Sequence, residues 1–316
     1  MGRSDSYRDA LTVQLPAHRL GFIRLLVSVV VFGPVAGALA AAALALQQGV
    51  SARALMAFAI AYVLTMVGIT VGFHRHFAHR AFSTSRPVEL VLIMLGSAAL
   101  QGSLLYWVAT HRQHHQFSDT PDDPHSPHFR KEERLGPWRG FLHAHVGWLF
   151  SDETSNALRF APDIAKDRFV FEAQRRYGVW VFVSLALPAI IGASLTRDLA
   201  STIEIFLWAG PVRILVAHHV TWAVDSFSHM WGGRRYDTGD RSTNNLWVAL
   251  PSLGEGLQNN HHAFPRSARV GLHWWEPDLG GMLIELMQLL HLVWDVQRPN
   301  PQQLARRRPV SDGGVE

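Results

Sequence analysis

The chain has no cysteine among its 316 residues. Disulfides, iron–sulfur clusters and thiolate metal sites are therefore excluded. Lysine is nearly absent as well. Only Lys131 and Lys166 occur, so the formal net charge of +4 rests on arginine. That bias, with abundant alanine, is associated with GC-rich bacterial genomes. The arginines are scattered and sit in no recognised motif, which argues against a nucleic-acid partner. No internal repeat of fixed period is present. Charge is missing altogether from 54–73, and 20–46 carries only Arg24.

Those uncharged runs are each long enough to cross about 30 Å of hydrocarbon, which takes roughly 20 helical residues. The first is too long for a secretory signal peptide and lacks a clean cleavage pattern. Two more apolar runs follow at about 177–196 and 199–222, separated by Arg197 and Asp198. The expectation is an all-α integral membrane protein with four transmembrane helices in two hairpins, at about 20–46, 54–73, 177–196 and 199–222. The short segment 281–296, with Glu285 and His291, reads as an amphipathic helix on the membrane surface. Residues 1–19 and 299–316 read as an N-terminal tail and a basic, solvated, disordered tail around a domain at 20–298, the second tail able to rest on anionic lipid.

Histidine is abundant, and its placement carries the argument. HRHFAH (74–79) follows the second run directly, and HRQHH (111–115) follows the apolar segment 88–109. If both clusters serve one site, they share a side of the membrane. The roughly 30 residues between them cannot cross and return, because each crossing needs roughly 20. Segment 88–109 should therefore lie in the interface or dip in shallowly. All polar blocks then fall on one face as a helical cap. The only cationic residues in the loops on the other face are Arg53 and Arg197, whereas 111–176 is rich in arginine, which places the cap in the cytoplasm.

His111, His114 and His115 fall at i, i+3 and i+4, one face of a helix. GEGLQNNHH repeats that spacing with Gln258, His261 and His262. His74 and His79 are five apart, about 500° of α-helical rotation, so a regular helix cannot bring them together. A bend or a frayed end is expected there. Asp225 and His229 lie at i, i+4 just beyond the last span. Imidazole suits iron, zinc and copper alike. Eight histidines exceed one zinc site and point to two metals. With hydrocarbon close by, oxygen chemistry at iron is the natural reading.

HRHFAHR, HRQHHQFSDTPDDPHSP, TWAVDSFSH and GEGLQNNHH together resemble the membrane-bound acyl desaturases of the stearoyl-CoA Δ9 type. HVGWLF (145–150), RRYDTGDRSTNN (234–245) and FPRSARVGLHWWEPD (264–278) extend the resemblance across about 20–298. It implies a cap holding a di-iron (Fe2+) centre that removes two hydrogens from an acyl chain with O2 as co-substrate. It implies one iron on His74, His111, His115 and His261, and the other on His79, His114, His229 and His262. The family has a further histidine at the place of Gln258, completing the second iron. At the place of Asp225 it has an asparagine that reaches the first iron through water. A neutral amide is a weaker ligand than imidazole, and a carboxylate is a stronger, anionic one. The expectation is that Asp225 ligates iron directly and Gln258 stands behind the ligands or binds weakly.

Gln101, Tyr106, Trp107, Thr221 and Trp222 adjoin the histidine boxes and are expected to line an acyl tunnel or to pack in the core. His218 lies about 10 Å along the helix from Asp225, too far to share its iron, and is a channel candidate. His76 is expected to face solvent. His125 and His145 are expected to pack behind the ligands or within the cap. Asp119, Asp122 and Asp123 either orient imidazoles or form a polar turn before Pro124. The acyl carrier is coenzyme A, an acyl carrier protein or a lipid. With no haem or iron–sulfur motif, electrons must come from a ferredoxin, a rubredoxin-like protein or a flavoprotein reductase. The site is expected to face the cytoplasm at a bacterial inner membrane. The rival outcomes are hydroxylation, acetylenic-bond formation, decarboxylation to an alkene, and a non-catalytic homologue; a metal transporter is disfavoured because the clusters sit on one face.

Overall fold

The computed structural model describes residues 10–307. Four helices are long and apolar enough to cross a membrane: α1 (Ala17–Gln48), α2 (Ala52–Ala78), α6 (Tyr177–Thr196) and α7 (Leu199–His229). Between α2 and α6 lie α3 (Arg86–Ser97), α4 (Leu104–Phe117) and α5 (Pro137–His145). After α7 come α8 (Gln258–Ala263) and α9 (Leu279–Leu289). Helix α7 is the centre of the bundle, packing on α1, α2 and α6. Gly37 of α1 lets the two backbones close up, because a Cβ there would sit 2.2 Å from Pro211 of α7. The outward faces of the spans are apolar, with Phe22, Leu25, Phe182 and Leu195 exposed.

The lower part of α2 is unusual. Gly68–Ala78 winds as a π-helix, with i→i+5 bonds in place of i→i+4. Its glycine face presses on α3: a Cβ on Gly68 would meet Gly96 N at 2.1 Å and Leu95 C at 2.2 Å. A second π turn, Trp208–Val212, interrupts α7.

The segment expected as one interfacial element, 88–109, is instead two helices, α3 and α4, broken at 98–103. Leu100 and Gly102 turn the chain there with φ of +56° and +95°. The 281–296 helix is also shorter than expected. It ends at Leu289, and Val293–Trp294 pairs antiparallel with Ser83–Thr84. Its outer face, with Met282, Leu286 and Leu289, is exposed as an amphipathic surface helix requires. The tail expected to be disordered from 299 begins with a capped helix, Pro301–Arg306, and Asn300 supplies the capping box. Its arginines at 306 and 307 are described, whereas 308–316 and the first nine residues lie outside the described part.

Candidate metal centre

Four chain segments deliver the histidines to one place, where α2 and α7 end. The π-helix brings His74 and His79, α4 brings His111, His114 and His115, the end of α7 brings His229, and α8 brings His261 and His262. They sort into two groups. The ligating atoms of His74, His79, His111, His115 and His261 lie within 4.8 Å of one another, as do those of His114, His229 and His262.

The grouping departs from the expected division at His79. Its ring lies 4.8 Å from His74 and 4.5 Å from His115, and its Nε2 is 2.7 Å from His111 Nε2. The cause is the π-helix. An i→i+5 bond, His79 N to His74 O at 3.1 Å, stacks residue 79 over residue 74. The α-helical spacing used to separate them does not apply.

In the smaller group every outward nitrogen is held and every inward one is free. His114 Nδ1 pairs with Asp123 at 3.0 Å, His229 Nδ1 with Asp119 at 3.0 Å, and His262 Nδ1 with Asp240 at 2.6 Å. The Nε2 atoms of all three are buried with no partner. Carboxylates behind imidazoles fix the tautomer and aim the lone pair inward, as metal sites require. In the larger group the Nε2 atoms converge: His74 on His261 at 3.0 Å, and His261 on His115 at 2.9 Å. His74 Nδ1 is backed by Glu255 at 2.5 Å. Glu255 also accepts from Arg75 at 3.2 and 3.0 Å, and Arg75 pairs with Asp278 at 2.8 Å. Orphaned, converging nitrogens of this kind fit two metal ions.

Burial first, and the neighbouring imidazoles next, hold His111, His114, His115 and His261 well below the ordinary histidine range. They are therefore neutral and able to donate lone pairs at pH 7. Burial would raise Asp240, but its hydrogen bond and charge interaction with His262 hold it well below the usual carboxylate range. Asp119 and Asp123 thus orient imidazoles. His125 stacks on His114 at 4.5 Å and, with Asp123, forms a third cluster beside the smaller group. His145 packs in the cap, bonded to Ser226 and His219. His76 does not face solvent: it contacts Phe82 O at 3.1 Å and Glu89 at 3.3 Å.

An apolar cavity of about 410 Å³ ends on His74 and His111. Gln101, Tyr106, Trp107, Thr221 and Trp222 all lie on its wall, as do Asp225 and Gln258. Trp107 stacks on His111 at 4.9 Å and donates to Gln101 at 3.4 Å. Asp225 falls in neither histidine group. The charge neighbours of Asp225 are His229 and Asp123, on the side of the smaller group. Gln258 Oε1 is buried without a partner. A second hollow of about 680 Å³ adjoins the first, sharing Ile23, Tyr106 and Trp148, and is rimmed by Arg24, Arg130 and Lys131.

Sequence reasoning passed over Arg75, Asp240 and Glu255. Glu255 lies inside GEGLQNNHH itself, and an acid within a histidine motif was the available signal.

The family model for fatty acid desaturases matches residues 51–278. A hex-5-enoyl-[acyl-carrier protein] acetylenase of Moorena producens is 43% identical over 249 residues, 78% of each chain. An sn-1 stearoyl-lipid 9-desaturase of Anabaena variabilis is 40% identical over 239 residues, 75% of this chain and 81% of that one. An acyl-CoA C20 Δ5-desaturase of Anemone leveillei is 35% identical over 247 residues, 77% and 73%. An apolar cavity ending on one of two convergent histidine groups agrees with these matches: the chain belongs to the fatty acid desaturase family of oxidoreductases.

Proposed function

We propose that the protein is an O2-dependent di-iron desaturase that places a cis double bond, at carbon 9, in a saturated acyl chain. The observation that carries the reading is the pair of convergent imidazole groups, the smaller with its Nε2 atoms buried and unpartnered, the larger ending an apolar cavity through His74 and His111. His74, His79, His111, His115 and His261 would hold one iron; His114, His229 and His262 would hold the other. Iron bound there supplies the oxidising power, drawn from O2 and two external electrons. Overall, one CH2–CH2 pair, O2, two electrons and two protons give CH=CH and two waters.

The chain's own groups do the rest. Asp119, Asp123, Asp240 and Glu255 fix the imidazoles. Trp107, Tyr106 and Trp222 keep the acyl chain dry and in place. Asp225 and Gln258 act on the centre from the cavity side, Asp225 adding negative charge where three histidines leave room for a further ligand. The acyl chain is carried on coenzyme A, an acyl carrier protein or a lipid, and a separate ferredoxin, rubredoxin-like protein or flavoprotein reductase supplies electrons. The four spans and the arginine-rich cap support a bacterial inner membrane location with the site facing the cytoplasm.

Acetylene formation is the second reading, favoured by the 43% identical acetylenase. Heterologous expression with fatty-acid profiling tests both, with Gln258→His and Asp225→Asn alongside. New monoenes support desaturation and alkynes support the second reading. Iron content and activity unchanged in Asp225→Asn would remove Asp225 from the centre.

A further inference from the structure

Arg213 is 1% exposed in the middle of α7, where an arginine is costly. Among the described residues no carboxylate lies within ion-pair distance of it. Its guanidinium instead bonds the carbonyl of Ala98, with Thr65 Oγ1 at 3.2 Å and Ala209 O at 3.1 Å. Ala98 caps the C-terminus of α3, so the arginine meets the negative end of that helix's dipole. One α-helical turn and a residue later, His218 Nε2 contacts the next carbonyl, Ala99 O, at 2.7 Å. The two side chains clamp the α3–α4 break from the same helix.

The far end of the break is also held. Gly102 N donates to Tyr177 OH at 3.3 Å, and Gly102 closes on Tyr106, where a Cβ would lie 2.4 Å from the ring. Between these fixed points Leu100, Gln101 and Gly102 form one wall of the acyl cavity. His218 also stacks on Trp222, another residue of the cavity wall, at 4.8 Å. The left-handed residues Leu100 and Gly102 have no regular ladder to hold them in that shape.

We propose that Arg213 and His218 are positioning residues that set, through the 98–102 turn, which carbon of the acyl chain stands opposite the histidines. This rests on the desaturase reading of the same cavity. Moving the wall by an ångström re-registers the chain by most of a carbon–carbon bond, and misplacements of that size change rates by about a hundredfold.

The test compares His218→Leu, which removes the donor, with His218→Gln, which offers an amide donor, and with Arg213→Lys. Double-bond positions are read by mass spectrometry of derivatised products, and iron content and thermal unfolding are measured in parallel. In His218→Leu the ratio of principal to neighbouring positional isomers should fall about tenfold, with His218→Gln restoring most of it. Lower yield at an unchanged isomer ratio would overturn the proposal, because a merely structural role predicts that. Amide hydrogen exchange at 98–103 in detergent reads the clamp without turnover. It should quicken about tenfold in His218→Leu and Arg213→Lys, and unchanged exchange would also overturn the proposal. A wild-type protein that makes no product while its variants exchange faster would sink the desaturase reading and leave the clamp standing.

Discussion

Replacing Glu255 by glutamine separates two tasks of one carboxylate. Glu255 is buried, neutralises Arg75 together with Asp278, and backs His74 Nδ1 at 2.5 Å. Removing one partner of a buried ion pair costs about 3–5 kcal/mol. Arg75 keeps Asp278 at 2.8 Å and the Ala268 carbonyl at 2.8 Å, so Glu255→Gln belongs at the lower end, about 3 kcal/mol. Asp278→Asn removes the same amount of charge. It also weakens an acceptor for the backbone N–H groups of Val270, Gly271 and Gly281, so it should destabilise at least as much. Only Glu255, however, touches a histidine of the larger group. Loss of such a supporting group typically lowers metal affinity 10–100-fold. The expected result is that both variants unfold at lower temperature in detergent, while only Glu255→Gln loses iron, by elemental analysis. If iron fell equally in both, the loss would follow stability, and the assignment of Glu255 to His74 would be wrong.

Four further outcomes are expected. Asp240→Asn leaves His262 without its carboxylate, so iron should fall from two per chain towards one, with the larger group retained. Gly68→Ala drives a methyl into the backbone of α3 and should cost about 3 kcal/mol or prevent accumulation, whereas Gly178→Ala, with nothing within 4 Å, should leave thermal unfolding unchanged. Burial would raise Asp163, but Arg112 and Arg80 hold it well below the usual carboxylate range. Its contribution is therefore full above the unfolded value near pH 4 and is lost as pH falls through the lower folded value; Asp163→Asn should flatten the acid limb of the unfolding temperature. Trp247 is exposed four residues before Pro251, whose carbonyl accepts from Tyr62 in α2. A fluorophore on Trp247→Cys, the chain's sole thiol, should be quenched by spin-labelled lipid, and quenching only by an aqueous agent would place this segment outside the bilayer.

The four spans were legible because hydrocarbon thickness sets a length that uncharged runs such as 54–73 display openly. That HRQHH and GEGLQNNHH each present their histidines on one helical face was legible from spacing, and that they meet in one place was implied by the family resemblance. The division of the histidines was not. His79 joins His74 only because Gly68 and Gly72 let α2 press against α3 and rewind, a tertiary effect with no local signature. The break at 98–103 was hidden for a similar reason. LGSAALQGS is apolar enough to continue, and the side chains that bond the carbonyls at the break, Arg213 and His218, reach across from α7. His76 looked free because its partner, Glu89, lies beyond a turn.

The rewound end of α2 makes the first histidine box a gauge of length more than of composition. Each added or deleted residue swings everything beyond it by about 100° on return to α-helical winding. Single-residue insertions and deletions within Gly68–Ala78 should therefore be tolerated far less than conservative substitutions at the same positions, and a deletion scan of this stretch would read as a ruler. The family motif, usually written as residue types, is on this view a fixed count of peptide units between two nitrogen atoms.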